Sequence, residues 1–371
     1  MFMRKKLLII LSVLGLGVSQ VVAQKDSVPE EVIDFSAFAD AESPEGTKRY
    51  CTNKVLGISP NKLISIGYDF QGKHTLETSH NPSNITNNLD PMVYSNSKAT
   101  LNNASGLRLL VNYPIISNTK LLLTLGGNYW RTKYKVSETY TTMQQSAYFN
   151  DVLKERGLTT IGINSTIFKP LNEKYFFLGF VSADANGDFT LGDNKLGEYL
   201  AKPKVSAALF FGKKRNDYSI LAFGVSRTYR PGALGYIPLI LFNHTFQNKK
   251  WGIESIFPAR VALRRTFNPR NILFFGYELE GQSYTMLNRT PNPYYNGLEL
   301  RRSEIRPRIT YEFALSGFLW MSVQAGYRIN YNYNIDQGDI LRIIGSDKPY
   351  YMENTISNPL YFQVSLNLVS P

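Results

Sequence analysis

The chain has 371 residues, is 43% hydrophobic and 13% aromatic, and carries a formal charge of +12. That apolar content excludes wholesale disorder, and a single thiol, Cys51, excludes a disulfide-stapled secreted scaffold. Mean hydropathy is −0.22, and after residue 23 no apolar run approaches the ~18 residues that a helical membrane span requires.

Residues 1–23, "MFMRKKLLIILSVLGLGVSQVVA", have a basic start (Arg4, Lys5, Lys6), an apolar core from Leu7 to Val18 and a small residue at Ala23. This is the three-part pattern of a cleavable secretory signal peptide. Residues 24–60 are expected to form an acidic periplasmic N-terminal arm that hangs free or tucks into the mouth of the folded body. Within 24–46, seven acids stand against Lys25, a net charge of −6; with the three signal-peptide cations removed from +12 the mature chain is +9, so 47–371 carry +15. The partners expected for such an exported basic surface are membrane lipid and lipopolysaccharide; no nucleic-acid module is recognisable.

From residue 61 the apolar pattern has period two, which sorts an extended chain into one apolar and one polar face. In "LISIGYDFQ", Ile64, Ile66, Tyr68 and Phe70 oppose Ser65, Gly67, Asp69 and Gln71. "GLRLLVNYP" sets Leu107, Leu109, Val111 and Tyr113 against Arg108, Leu110 and Asn112, and "NILFFGYELEGQ" sets Leu273, Phe275, Tyr277 and Leu279 against Gly276, Glu278, Glu280 and Gln282. In "LWMSVQAGYRINYNYNI" the apolar row runs from Leu319 to Tyr333 without a break, which predicts Tyr331 and Tyr333 on the outer face near or above a membrane interface. The last segment, "LYFQVSLNL", repeats the pattern.

Connection lengths alternate. Short turns fall at 114–119, 169–174, 212–217, 247–249, 268–270 and 315–316, whereas long polar connections occupy 72–104, 131–156, 185–202, 286–296 and 336–359. A soluble sandwich gives no reason for that asymmetry, but a membrane barrel with short periplasmic turns and long extracellular loops does. In hydrocarbon the sheet must close, because unpaired edge groups have no water to bond. The expected fold is therefore all-β: a transmembrane antiparallel up-and-down β-barrel over 61–371, of fourteen strands, with twelve as the alternative because the hairpin around Phe257-Pro258 is short. Pro307 is expected at a bulge or rim.

If the apolar parity faces lipid, Arg260, Arg264, Glu278, Glu280, Glu304, Arg306, Arg308, Glu312 and Arg328 face the lumen. Two readings are open: a structural ion-pair cluster along one wall, or a charged constriction that filters solutes. Asp184, Asn186 and Asp188 have calcium-loop spacing, but Phe189 replaces the Gly and Lys195 the closing Glu, so a solvated loop is expected and no metal site or cofactor is assigned. The histidines, His74, His80 and His244, are not spaced as metal ligands; a barrel hydrolase would want a lumen-rim Ser–His pair, for which His244 with a distant Ser is the candidate. In "SAYFNDVLKERG", Phe149, Val152 and Leu153 have helical spacing, as a short lid or plug helix would.

The stretch "WGIESIFPARVALRRTFNPRNILFFGYELEGQSY", residues 251–284, together with the leader and "NPLYFQVSLNL", resembles an uncharacterised family of Bacteroidota outer-membrane β-barrel proteins known as a domain of unknown function. The resemblance implies a Gram-negative outer-membrane location and a porin-like fold, and it transfers no functional residues. The expected function is a non-enzymatic pore or binding barrel for small solutes, inserted by the barrel-assembly machinery. Its rivals are a barrel enzyme acting on lipid and a secreted glycan-binding β-sandwich.

Overall fold

The computed structural model describes residues 50–52, 54–80, 97–140, 148–229, 234–287, 298–337 and 350–370. The leader and most of the acidic arm lie outside them. The strand segments are β1 (Lys62–Gln71), β2 (His74–His80), β3 (Ser97–Asn118), β4 (Leu121–Tyr140), β5 (Leu158–Pro170) and β6 (Tyr175–Gly187). They continue with β7 (Lys204–Asn216), β8 (Ser219–Thr228), β9 (Gly235–Thr245), β10 (Trp251–Phe257), β11 (Arg260–Asn268) and β12 (Asn271–Met286). The last five are β13 (Leu298–Ser316), β14 (Leu319–Tyr327), β15 (Ile329–Gln337), β16 (Tyr350–Ile356) and β17 (Leu360–Val369). Three pairs, β1 with β2, β14 with β15 and β16 with β17, each form one interrupted wall, so the seventeen segments build fourteen walls. Antiparallel pairing of β1 with β17, from Ile64↔Leu368 to Gln71↔Tyr361, closes the ring.

The outside is the apolar face that the alternation predicts: Ile66, Tyr68, Leu209, Phe223, Leu360 and Phe362 are all exposed. Ten residues of β1, at ~3.3 Å each and ~40° of tilt, span about 25 Å, the height of an outer-membrane apolar band. The twelve-strand alternative is excluded, because β10 and β11 are both full members of the ring.

Three neighbouring walls are interrupted at one level. β13 pairs with β14 up to Arg308↔Gly326 and with β15 from Ile305↔Ile329, leaving Pro307 opposite the break. Pro307 thus sits at a gap in the ladder rather than at a bulge, where its missing N–H costs no bond. At the same height Arg328 N donates to Pro359 O (3.0 Å) and Gly72 N to Leu360 O (2.9 Å). Above this seam the outer faces turn polar, with Glu77 and Ser79 on β2 and Glu353 and Thr355 on β16 exposed. Much of what the sequence presents as long loops is therefore barrel wall continuing beyond the membrane.

A register shift between Ser303 and Glu304 of β13, opposite Asn330 to Asn332, makes Tyr331 an inserted residue. A single inserted residue reverses strand parity beyond it. Tyr331 stays outside (51% exposed), but Tyr333 turns inward (2%), contrary to the unbroken alternation read from the sequence.

Tyr333 joins an apolar plug in the extracellular collar with Leu101, Tyr134, Leu300 and Ile335. The short helix Tyr148–Asp151 and the π-turn Val152–Arg156 add Phe149, Val152 and Leu153 to that plug, as their spacing predicts. The opposite mouth is filled by residues 50–60. Cys51 N donates to Asn172 O (3.0 Å), Leu56 N to Asp217 O (2.8 Å), and Thr245 Oγ1 to Leu56 O (2.7 Å). Gly57 turns this segment at φ +80°, a conformation that glycine adopts without strain.

Candidate functional site

The inward-facing charges converge where the seam crosses the lumen. Glu304 is the hub: Arg302, Arg306 and Arg328 all pair with it, at 3.0 Å for Arg302 and Arg328. Arg328 also pairs with Asp69 of β1, and Arg306 with Glu280 of β12. Arg108 of β3 reaches Glu280 across the lumen (3.2 Å) and lies 3.5 Å from Asp69. Glu304, Arg306 and Arg328 are each 1% exposed. Charges this deeply buried are tolerated only when paired and hydrogen-bonded, and here every carboxylate of the network meets at least two guanidinium groups.

Of the nine lumen charges expected from the sequence, Glu280, Glu304, Arg306 and Arg328 form this network, with Arg308–Glu278 as an adjoining pair. Glu312 pairs instead with Lys62 (2.6 Å), three walls away. Arg264 is buried near the periplasmic mouth, 3.5 Å from Glu254 and bonded to Thr245 Oγ1 (2.7 Å). Arg260 does not join the cluster: it is exposed at the tip of the β10–β11 hairpin, and its side chain forms no hydrogen bond or ion pair among the described residues. Asp69, Arg108 and Arg302 were not singled out from sequence, although Asp69 and Arg108 already lie on the inward parity of "LISIGYDFQ" and "GLRLLVNYP". The partners of Asp69 and Arg108 come from walls remote in sequence, which only ring closure brings together, whereas Arg302 pairs with Glu304 two residues along its own strand.

The calcium-loop spacing is used otherwise. Asp184 and Asn186 alternate along β6, so their side chains are strung out ~7 Å apart rather than converging. Asn128 Nδ2 donates to Asp184 (3.2 Å), Thr160 Oγ1 to Asn186 (2.7 Å), and the Tyr199 hydroxyl to Asp188. Asn186 and Asp188 are buried, which replaces the solvated loop expected there. Among the described residues no group of three His, Cys, Asp or Glu could hold a metal ion. His244 faces outward between Phe242 and Phe246 (ring centroids 5.9 and 5.1 Å), so it cannot serve a lumen hydrolase. His74 is buried in the collar, its Nδ1 2.8 Å from Gly72 O, and burial holds its imidazole below the ordinary value. The side chain of His80 lies outside the described residues.

The other half of the lumen is apolar. Phe168 of β5, Phe176 of β6, Phe210 of β7, Ile220 of β8 and Leu241 of β9 are buried against one another, with Ile256 of β10 beside them. Cys51, Val55 and Ile58 cover them from the periplasmic side. Burial raises the Cys51 thiol above its ordinary value. This half also escaped the alternation, although runs such as "YFFLGFV" and "IPLILF" are apolar at both parities.

Beside the ionic network, between β3, β4 and β12, lies a cavity of ≈ 120 Å³ lined by Arg108, Trp130, Glu278, Glu280, Gly281 and Gln282. Arg108 stacks over the Trp130 ring at 4.8 Å, and the Trp130 Nε1–H has no hydrogen-bond partner.

Among solved structures, the chain is similar to an outer membrane channel from Pseudomonas putida F1 (13% identity, 87% of this chain and 98% of that one, TM-score 0.37). It is also similar to the KdgM porin in complex with disordered oligogalacturonate (7%, 83% and 99%, 0.31). A third similar structure is the outer membrane protease OmpT from Escherichia coli (9%, 86% and 100%, 0.30). No curated protein matches. The profile of one family, described as a domain of unknown function (DUF6268), matches residues 127–368, well over half of the chain, and the chain belongs to that family.

Proposed function

We propose that this barrel, placed in the outer membrane of a Gram-negative cell, is a non-enzymatic passage or binding barrel for small solutes. The observation that carries this reading is the mid-lumen cavity beside the Arg108–Glu280 pair, which crosses the lumen from β3 to β12. An ion pair spanning a lumen narrows it and presents both signs of charge to anything that passes, so it discriminates by size and by charge. The exposed apolar belt is the surface that lipid and lipopolysaccharide cover, and assembly machinery of the barrel-inserting type is the partner this reading requires.

Conductance of the full chain in planar bilayers tests it. A small conductance is expected, limited by the collar plug and the segment at the opposite mouth as well as by the crossing pair. It should lose its discrimination by charge when Arg108→Ala and Glu280→Ala are combined, because both arms of that pair are then gone. Silence of both proteins at every voltage, with a solute-binding assay also negative, removes the reading.

A further inference from the structure

The periplasmic rim is charged on one arc only. Lys169 and Lys174 flank the β5–β6 turn, and Lys213 and Arg215 precede the β7–β8 turn; all four are exposed. Lys249 and Lys250 stand in the β9–β10 turn and Arg270 in the β11–β12 turn, exposed as well. Two acids oppose them, Glu173 and Asp217, and Asp217 is taken by Lys214 (3.0 Å), which also bonds Thr52 and the Lys54 carbonyl of the mouth segment. The arc from β13 round to β4 differs: among the described residues its turns carry Lys120 and no other charge, and the β13–β14 turn, Leu315-Ser316-Gly317-Phe318, is exposed and uncharged.

Just above the cationic arc the outer face is aromatic. Tyr175, Phe177, Phe211, Phe246 and Phe267 are exposed there, with Trp251 half-buried among them. The cations lie over such rings: Lys213 Nζ is 5.7 Å from the centre of Tyr175, Lys249 Nζ 6.0 Å from Tyr218, and the Arg265 guanidinium 4.8 Å from Trp251 and 6.0 Å from Phe267. Aromatic girdles mark the level at which acyl chains meet headgroups, so cations stacked on them lie at the height of lipid phosphate.

Arg265 carries the argument furthest. It alternates with Leu263 and Phe267, both exposed on the outer face, and its register partners are Trp251 and Leu273. It therefore faces lipid, three residues above Asn268, which at ~3.3 Å per residue and ~40° of tilt is about 8 Å above the turn. Its neighbour Arg264 points inward to Glu254 and Thr245, whereas Arg265 has no ion pair among the described residues. A guanidinium on the lipid face is unfavourable against hydrocarbon and is satisfied by a phosphate, which its planar fork can bond twice. Lys249, two residues before Trp251 in the adjoining turn, supplies a second cation.

We infer that the periplasmic rim over β5–β12 is a docking surface for anionic phospholipid of the inner leaflet, with Arg265 and Lys249 on the phosphate and Trp251 on the upper acyl chain. The excess of cations supplies the attraction, and their absence from the other arc confines that lipid to one side of the barrel. The inference goes beyond passage through the lumen, because every group in it lies on the rim or the outside of the wall.

Tryptophan quenching by lipid with brominated acyl chains tests it, using the full chain in nanodiscs of equal parts phosphatidylglycerol and phosphatidylethanolamine, with bromine on one lipid or the other. In a Trp130→Phe/Trp320→Phe protein, Trp251 reports the cationic arc. Phe318→Trp, added to a protein in which Trp130, Trp251 and Trp320 are all changed to Phe, reports the uncharged arc. The expected result is a preference of about fivefold for phosphatidylglycerol at Trp251, lost in Arg265→Gln/Lys249→Gln and at high salt, with none at the Phe318→Trp reporter. Equal quenching by the two lipids at Trp251 overturns the inference, as does an equal preference at both reporters or one that survives Arg265→Gln/Lys249→Gln. Loss of the preference to inorganic phosphate at constant ionic strength also overturns it, by assigning the arc to a soluble anion. If the tryptophan variants fail to fold, native mass spectrometry of the unsubstituted chain released from the same nanodiscs decides: phosphatidylglycerol retained in excess over phosphatidylethanolamine is the expected result, and parity refutes the surface.

Discussion

The two halves of the lumen present the same apolar exterior to lipid and solve opposite problems inside. On β1, β3 and β12 to β14 the inward parity is ionic, and its groups are held by partners that span several walls, as Arg328–Asp69 and Arg108–Glu280 do. On β5 to β10 the inward parity is aliphatic and aromatic, and it is held by packing and by a segment from outside the ring, Cys51 to Ile58. The contrast shows that alternation along a strand reports only which side meets lipid. What the other side meets depends on the far wall.

The ionic half is the more fragile to deletion. Glu304→Ala leaves Arg302, Arg306 and Arg328 without their shared carboxylate, and breaking a buried pair in this way costs about 3–5 kcal/mol. A lowered urea midpoint for unfolding from lipid bilayers would register it. A loss under ~1 kcal/mol would mean that water already hydrates these guanidiniums, and the contrast between the halves would blur.

In the apolar half the vulnerable point is the stopper. Val55→Asp places a charge among Phe168, Phe176 and Ile220, at a cost of about 2 kcal/mol or more, so residues 50–60 should leave the mouth. Cys51, the sole thiol and buried, supplies the readout: slow maleimide labelling in the parent protein and fast labelling in the variant. Equal rates would show that the mouth does not depend on apolar contact.

The ring, its fourteen walls and the short-turn, long-loop asymmetry were legible in the sequence because they follow from local patterns: period two, turn residues and the need to close an edge in hydrocarbon. The site was legible only by parity. Glu304 and Arg328 could be placed inside, yet the Arg328–Asp69 and Arg328–Glu304 pairs depend on closure and on the seam at Pro307 and Pro359. Tyr333 was placed on the wrong face because one inserted residue, Tyr331, leaves no composition signal and still inverts every position beyond it. Arg260 was grouped with the ion pairs because its parity is right; its height on a short hairpin removes it from them.

Substitutions that keep volume should separate the halves further. Phe210→Leu in the apolar half keeps most of the filled space and should cost less than ~1.5 kcal/mol. Arg306→Lys in the ionic half keeps the charge but cannot bond Glu280 and Glu304 together through a planar fork, and should cost more despite its formal conservatism. Unfolding midpoints of the two variants measured side by side would settle the order, and an inverted order would mean that packing, rather than pairing, limits both halves.

The smallest effect belongs to the ionic chemistry above the membrane, where Asp336 pairs with Arg301 beside the Lys204–Glu299 bridge. Burial pushes the Asp336 carboxyl up to about 6, against the opposing pull of Arg301, while in an unfolded chain it would titrate near ~3.9. Between those values the folded state binds a proton that the unfolded state does not, so this group makes the collar slightly more stable as pH falls from 7 toward 4. His74 opposes it, because its lowered imidazole value means that the unfolded chain takes up the proton first below about 6.5. Asp336→Asn should therefore leave a midpoint for heat-modified gel mobility that only declines in acid, and His74→Gln one that only rises. If both variants followed the parent curve, the collar would be titrating through groups in the loops around it, and these two buried groups would be electrostatically silent.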